Sequence, residues 1–192
     1  MFRRTYRRTK VNIKIYDDLI PKHLQDYYEL SILGRTNAEE EIMHPTVDLR
    51  CKYESTANEP GVNSISFVHV LKSSSQRSDH LDNFALIPQV VCQDLGLMLK
   101  EIMVARIYLI LPYKTKLKNY AAHQDFPFKH TVVLYYVNDA DGDTVFFDNN
   151  NNIVESVSPK RGRVVVFDGL LYHGGGIPKK NPRCVVNFDI LT

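Results

Sequence analysis

The chain contains no tryptophan and only three cysteines in 192 residues. Cys51, Cys92 and Cys184 are odd in number and far apart, which argues against a disulfide framework and suits a reducing compartment. No apolar run approaches the ~18 residues that suggest a membrane-spanning helix. The basic N-terminus lacks the apolar segment that would make it a secretory signal. These absences predict a cytoplasmic protein without a membrane partner. The first ten residues carry no acid, only Arg3, Arg4, Arg7, Arg8 and Lys10. The other 182 hold 19 basic and 22 acidic side chains, so the net charge of +2 is a basic arm on a mildly acidic body. That is not the electrostatic footprint of a dedicated nucleic-acid-binding domain.

What is present is ordinary globular material. Apolar residues make up 44% and charged residues 24%, and 11 Tyr and 9 Phe must supply the bulk that Trp does not. The length fits one domain, read as a basic arm over 1–10, supporting strand and helices over 11–100, and a catalytic core over 101–192. Residues 11–16 (VNIKIY) alternate as a strand. Residues 21–33 place Leu24, Tyr27, Tyr28 and Ile32 on one helical face, with Asp18 near the cap and Gly34 as the stop. A strand is expected at 65–71, a loop or lid at 73–80, and a second helix at 83–100. Beyond residue 101 the pattern becomes short strands, at 102–111, 119–122, 131–137, 144–148, 152–157, 163–167 and 183–190. Turn clusters separate them, as in a β-sandwich or barrel. The fold class is α+β, with N-terminal helices packed on a β core.

Of seven histidines, His23 lies in the first helix, His44 and His80 in polar loops, and His69 in an apolar strand, none arranged as a ligand. His130 opens a strand and is read as structural. His123-Gln124-Asp125 is different, because residues i and i+2 of an extended segment face one side. His173 follows two hairpins later. Two His and one carboxylate on one face of a β-barrel make the triad that binds Fe(II) with positions left open. Arg183 begins the last strand and could hold a carboxylate bidentately. Tyr136 could add a phenol hydrogen bond. Such a site suits a dicarboxylate that chelates at one end and is clamped at the other.

Three stretches carry a resemblance: HQDFPFKHTVVLYYVNDADGDTVFFD, SPKRGRVVVFDGLLYHGGG and NPRCVVNF. In this order they resemble the Fe(II)/2-oxoglutarate-dependent dioxygenase superfamily, closest to its prolyl-4-hydroxylase-like branch, which includes small phage-borne forms. The resemblance covers about residues 102–191. It implies a double-stranded β-helix (jelly-roll, cupin-like) core. It implies Fe(II) held by His123, Asp125 and His173, with 2-oxoglutarate and O2 as cosubstrates and ascorbate as a stimulant. Arg183 would bind the distal carboxylate of 2-oxoglutarate, Tyr136 would assist, and either Tyr108 or Tyr113 would face the cosubstrate. The implied reaction is hydroxylation of a peptide or small molecule, first of all a peptidyl proline, with release of succinate and CO2. For a phage-borne gene, the compartment is the host cytoplasm. Asp125 stands where related halogenases carry a small residue, which favours hydroxylation. The nucleobase-demethylase branch usually carries a second Arg at the position of Asp189, so nucleic acid is not the expected partner. A non-catalytic metal-binding barrel used in assembly is the alternative, and a zinc hydrolase a third reading.

Smaller features have structural readings. Gly174–Gly176 lacks the Lys-Ser/Thr pair of a phosphate loop and is read as a tight turn. Lys160, Arg161 and Arg163 are read as a solvated turn, and Cys184 as a core residue.

Overall fold

The computed structural model describes residues 7–8, 11–36, 42–43, 45–52 and 66–192. Arg3, Arg4 and Lys10 of the basic arm, and His44, lie outside the described residues. The strands are β1 (Arg7–Arg8), β2 (Lys14–Tyr16), β3 (Arg35–Thr36), β4 (Ile42–Met43), β5 (Arg50–Lys52), β6 (Ser66–Lys72), β7 (Glu101–Ile110), β8 (Thr131–Tyr136), β9 (Thr144–Phe147), β10 (Ile153–Val157), β11 (Val164–Asp168), β12 (His173–Gly174) and β13 (Arg183–Leu191). The helices are α1 (Lys22–Leu33), α2 (Leu81–Phe84) and α3 (Leu86–Leu95).

Eight strands form one antiparallel sheet in the order β1-β2-β11-β8-β13-β7-β6-β5, three form a second, β10-β9-β12, and β3 pairs with β4. The long strands read as continuous apolar runs because both faces of the large sheet are covered. Val133, Tyr135, Val164, Val166, Cys184, Val186 and Phe188 face a core shared with Tyr28, Phe84, Ile87 and Val91 of the helices. Their neighbours Val132, Leu134, Tyr136, Val165, Phe167 and Val185 face the other way, onto Phe146 and Val157 of the small sheet. The period of two thus divides each strand between a helix-backed core and an inter-sheet core. This is the double-stranded β-helix with N-terminal helices that the sequence predicts. Among the described residues, no helix is long and apolar enough to cross a membrane.

The N-terminal half is more than support, since β1 and β2 extend one edge of the large sheet and β5 and β6 the other. Helix α1 begins at Pro21 without a side-chain cap, so Asp18 does not cap it; Gly34, at φ 68°, ends it. Tyr28 stacks on Phe84 at 5.0 Å and meets Tyr135 edge-on at 5.6 Å, whereas Tyr27 turns outward. Burial pushes the Tyr28 hydroxyl up to about 12. The expected second helix is two short helices that end at Gly96, in the left-handed conformation, and residues 97–100 lead directly into β7.

The segment at 73–80 is tied down rather than poised as a lid. Arg77 bridges to Lys72, and Ser78 Oγ lies 2.7 Å from His69 Nε2. Nor is 160–163 a solvated turn. Arg163 holds Asp17 through Nε and Nη2 at 2.6 and 3.1 Å, and Arg161 reaches Asp26 and, at 2.7 Å, Glu29. These pairs fasten α1 and its approach to the end of β11.

Candidate active site

The site lies between the two sheets. Residues 119–122 form no strand; instead Asn119 and His123 make isolated bridges to Gly176 and His173. Gly174–Gly176 is therefore not a tight turn but an extended segment lying along 119–123. His123 N–H donates to His173 C=O and His173 N–H to His123 C=O, both at 3.0 Å. This exchange makes the two His directly opposed partners, with ring centroids 4.7 Å apart. Each ring is oriented the same way. His123 Nδ1 donates to Ala121 C=O at 3.1 Å, and His173 Nδ1 to Leu171 C=O at 3.0 Å. Both Nε2 lone pairs are thereby left for a ligand.

Asp125 completes the cluster. Its Oδ2 lies 3.4 Å from His173 Nε2 and has no hydrogen-bond donor although it is buried. One donor atom from each of His123, Asp125 and His173 lies within 4.8 Å of the others. Burial acts to raise Asp125, but the close approach of His173 and, after it, His123 outweighs it and holds the carboxyl below its usual range. Two imidazoles of fixed tautomer and an undersatisfied carboxylate fit a hard divalent metal, and this donor set favours Fe(II).

The triad opens on a cavity of about 180 Å³ whose lining includes Tyr108, Tyr120, Thr144 and Arg183. Arg183 is 3% exposed, and no carboxylate among the described residues pairs with it. Its Nη2 donates to Thr144 Oγ1 at 2.8 Å, while its buried Nε has no partner. Tyr136 lies beneath it, with the guanidinium 5.5 Å from the ring centre. The Tyr136 hydroxyl is 2.6 Å from Thr144 Oγ1 and 3.2 Å from Val157 C=O. Tyr136 thus backs the guanidinium and orients Thr144. A buried cation without a counter-ion is costly, and an anion entering the cavity relieves that cost.

Tyr108 lines the cavity, with its hydroxyl pushed up by burial. Tyr113, the other candidate, packs with Ile110, Tyr120 and Ile177. His130 and Asp189, read from sequence as structural and as a mere absence of Arg, both come close to Asp125, with one polar atom of each of the three within 4.8 Å of the others. Thr144, inside the first stretch that carries the resemblance, and Tyr120, just before it, are further cavity residues that the sequence reading does not single out. Threonine and tyrosine at such places have no distinguishing signal until the sheets close.

Comparison with known proteins agrees with this geometry. Residues 108–188 match the family model described as the 2OG-Fe(II) oxygenase superfamily. No curated protein matches. Among solved structures, a Pseudomonas putida prolyl-4-hydroxylase is similar at 16% identity and TM-score 0.61, over 94% of this chain and 92% of that one. A Trichoplax adhaerens prolyl hydroxylase, in complex with a hypoxia inducible factor peptide fragment, is similar at 12% identity and TM-score 0.61, over 95% and 84%. A viral collagen prolyl hydroxylase of Paramecium Bursaria Chlorella virus-1 is similar at 11% identity and TM-score 0.56, over 93% and 94%. At such identities these likenesses show the shared fold. The family match spans the Tyr108 strand, the H-x-D pair, His173 and Arg183 in one segment, and through it residues 108–188 are a 2OG-Fe(II) oxygenase region, which makes the protein a 2-oxoglutarate-dependent Fe(II) dioxygenase.

Proposed function

We propose that this dioxygenase hydroxylates a prolyl residue in a peptide, with His123, Asp125 and His173 holding Fe(II) and Arg183 anchoring 2-oxoglutarate. The observation that carries the cosubstrate assignment is Arg183, a buried guanidinium without an acidic partner in the triad's own cavity. It would take the distal carboxylate of 2-oxoglutarate. Thr144 Oγ1 already receives the Arg183 donor, so its own hydrogen is available to the same carboxylate. Tyr120 Oη is buried without a hydrogen-bond partner in the cavity and supplies a further donor.

When bound, Fe(II) with 2-oxoglutarate and O2 supplies the oxidising power to place one oxygen atom in a substrate C–H bond and the other in succinate. The chain's residues do the rest. The paired backbone bonds of His123 and His173 fix two donors in register. Tyr136 and Thr144 hold the Arg183 fork toward the cavity. Phe167, Leu134 and Val185 form apolar walls that keep bulk water out.

The prolyl reading is supported by the rims. Phe128, Leu170 and Tyr172 are 47%, 40% and 41% exposed on the two loops that carry the triad. Gln124 Nε2 donates to Leu170 C=O and joins those loops. An exposed apolar edge beside the reacting centre suits a ring that is itself apolar, such as proline within a peptide. The test is succinate release with a panel of proline-containing peptides, their alanine counterparts and free amino acids, with product mass read in parallel. A 16 Da gain confined to proline peptides is the expected outcome. Turnover of free amino acids alone would overturn the peptide assignment, and no succinate from any substrate, with no 2-oxoglutarate-dependent visible band, would overturn the cosubstrate site.

A further inference from the structure

The cavity has a second polar end, built by the other edge of the large sheet. Strands β13, β7, β6 and β5 lie side by side in that order. Register places Arg183 opposite Ile110, Ile110 opposite Ser66, and Ser66 opposite Lys52. Directly paired residues of antiparallel strands share a face, so Ser66 and Lys52 face the same way as Arg183. Both line the cavity together with the triad. Three strand spacings of ~4.8 Å put the Lys52 backbone about 14 Å from that of Arg183. The Arg183 fork leans away from them, onto Thr144 of β9 and over Tyr136 of β8. The clamp proposed for 2-oxoglutarate and the Lys52 end are thus two separate places.

Two observations mark that end as a place for a ligand. Ser66 is fully buried, yet its Oγ has no hydrogen-bond partner among the described residues. A buried hydroxyl left unpaired is costly, and an acceptor entering the cavity removes that cost. Lys52 is half-buried, and among the described residues its ammonium has neither a hydrogen bond nor an ion pair. Arg50, two residues back on β5, faces the same way and is exposed. Its register partner Val68 is only half-buried, so this face stays open beyond the cavity. Positive charge here runs against the trend of the body, where residues 11–192 hold 22 acidic and 19 basic side chains. An ammonium and an unpaired hydroxyl on one wall fit a carboxylate, the first supplying charge and the second a directed hydrogen. Arg50 carries the positive charge outward from the mouth, which suits a chain bearing acids rather than a single small acid.

We propose that Lys52 and Ser66 form a subsite for an acidic side chain of the substrate, so that the enzyme selects peptides with Asp or Glu beside the residue it hydroxylates. This rests on the peptide reading above. It gives β5 and β6, which lie outside the family match, the task of choosing what reaches the metal.

The test is fluorescence anisotropy with labelled, C-terminally amidated peptides and the full-length protein loaded with Mn2+ and 2-oxoglutarate. A Glu-flanked proline peptide should bind about tenfold more tightly than its Gln counterpart, as expected for one hydrogen-bonded charge. Lys52→Gln should erase that preference and Lys52→Arg should keep it. Ser66→Ala has no existing hydrogen bond to lose, so it should reduce the preference without lowering Tm. Calorimetric titration of 2-oxoglutarate into the Mn2+-loaded protein should give the same affinity in wild type and Lys52→Gln. No Glu preference in the wild type, or a preference that survives Lys52→Gln, would overturn the proposal. So would a loss of 2-oxoglutarate affinity in Lys52→Gln, which would assign the lysine to the cosubstrate. A single-stranded oligonucleotide that binds more tightly than the Glu peptide, with the same dependence on Lys52, would overturn it in favour of nucleic acid. Equal binding of Glu-flanked proline and alanine peptides, with the Glu preference intact, supports the subsite and overturns only the prolyl assignment.

Discussion

Arg183 shows how one residue can point to the charge of a ligand. Its neighbours satisfy one nitrogen, support the plane and leave Nε open, although the group is 3% exposed. Truncating one partner of a buried, hydrogen-bonded charge pair costs ~2 kcal/mol or more, so Arg183→Ala should raise KM for 2-oxoglutarate at least about 30-fold. Arg183→Lys keeps the charge but loses the fork, and should fall between the two. Steady-state kinetics over 2-oxoglutarate concentration read both. His173→Ala should abolish the weak visible band that Fe(II) and 2-oxoglutarate give anaerobically, because it removes one of the two opposed nitrogens.

Elements matter through what they hold in register. Helix α1 lies far from His173 in sequence, yet Tyr28 lies between Phe84 and the back of β8 at Tyr135. Replacing Tyr28 by Ala should cost about 3–5 kcal/mol, the usual range for deleting a buried aromatic ring. Urea unfolding would measure this, with the metal triad left chemically intact. Gly169 closes β11 and abuts the His130 ring, so Gly169→Ala forces either the ring or the turn to move. That variant should weaken Mn2+ binding in a calorimetric titration, because the displaced His130 ring lies beside Asp125. His123, on the segment before β8, and His173, on β12, meet only because the 119–123 segment lies along 173–176.

For the whole molecule, stability is linked to metal and to pH. A ligand that binds only the folded state adds about 2.7 kcal/mol at one hundred times its Kd, so saturating Mn2+ should raise Tm and a chelator should reverse the gain. Without metal, the Asp125–Asp189 pair sets a slope. Burial, together with the charge of Asp125 and a hydrogen bond to it, holds Asp189 above the ordinary carboxylate range. Above about pH 4 the unfolded chain has released a proton that the folded chain keeps. Folding stability therefore falls as pH rises from there through the folded value of Asp189, by at most about 1.4 kcal/mol per unit. Asp125, held low, acts oppositely: its contribution is present above about pH 4 and is lost as pH falls through its folded value. Chemical denaturation of the metal-stripped protein between about pH 5 and pH 7 should show the falling slope, and Asp189→Asn should flatten it.

Sequence alone determined the class of strand-rich fold and singled out the residues proposed to carry the chemistry, because both are written in local pattern. Period-two apolar runs, His and Asp two residues apart, and an Arg opening the last strand need no tertiary knowledge to be seen. Tertiary structure alone decided the partners. Whether 160–163 was solvated or pinned to α1 depended on Asp17, Asp26 and Glu29, more than 130 residues away. Whether His130 was inert depended on β13 delivering Asp189 beside it, since a buried carboxyl and an exposed one have the same letter. Tyr136 reads in sequence as a possible ligand contact and in the fold as the ring beneath Arg183, because only closure of the two sheets says which hydroxyl is already engaged. Spacing along a strand reveals which side chains share a face; burial and long-range pairing reveal which of them are left with something to bind.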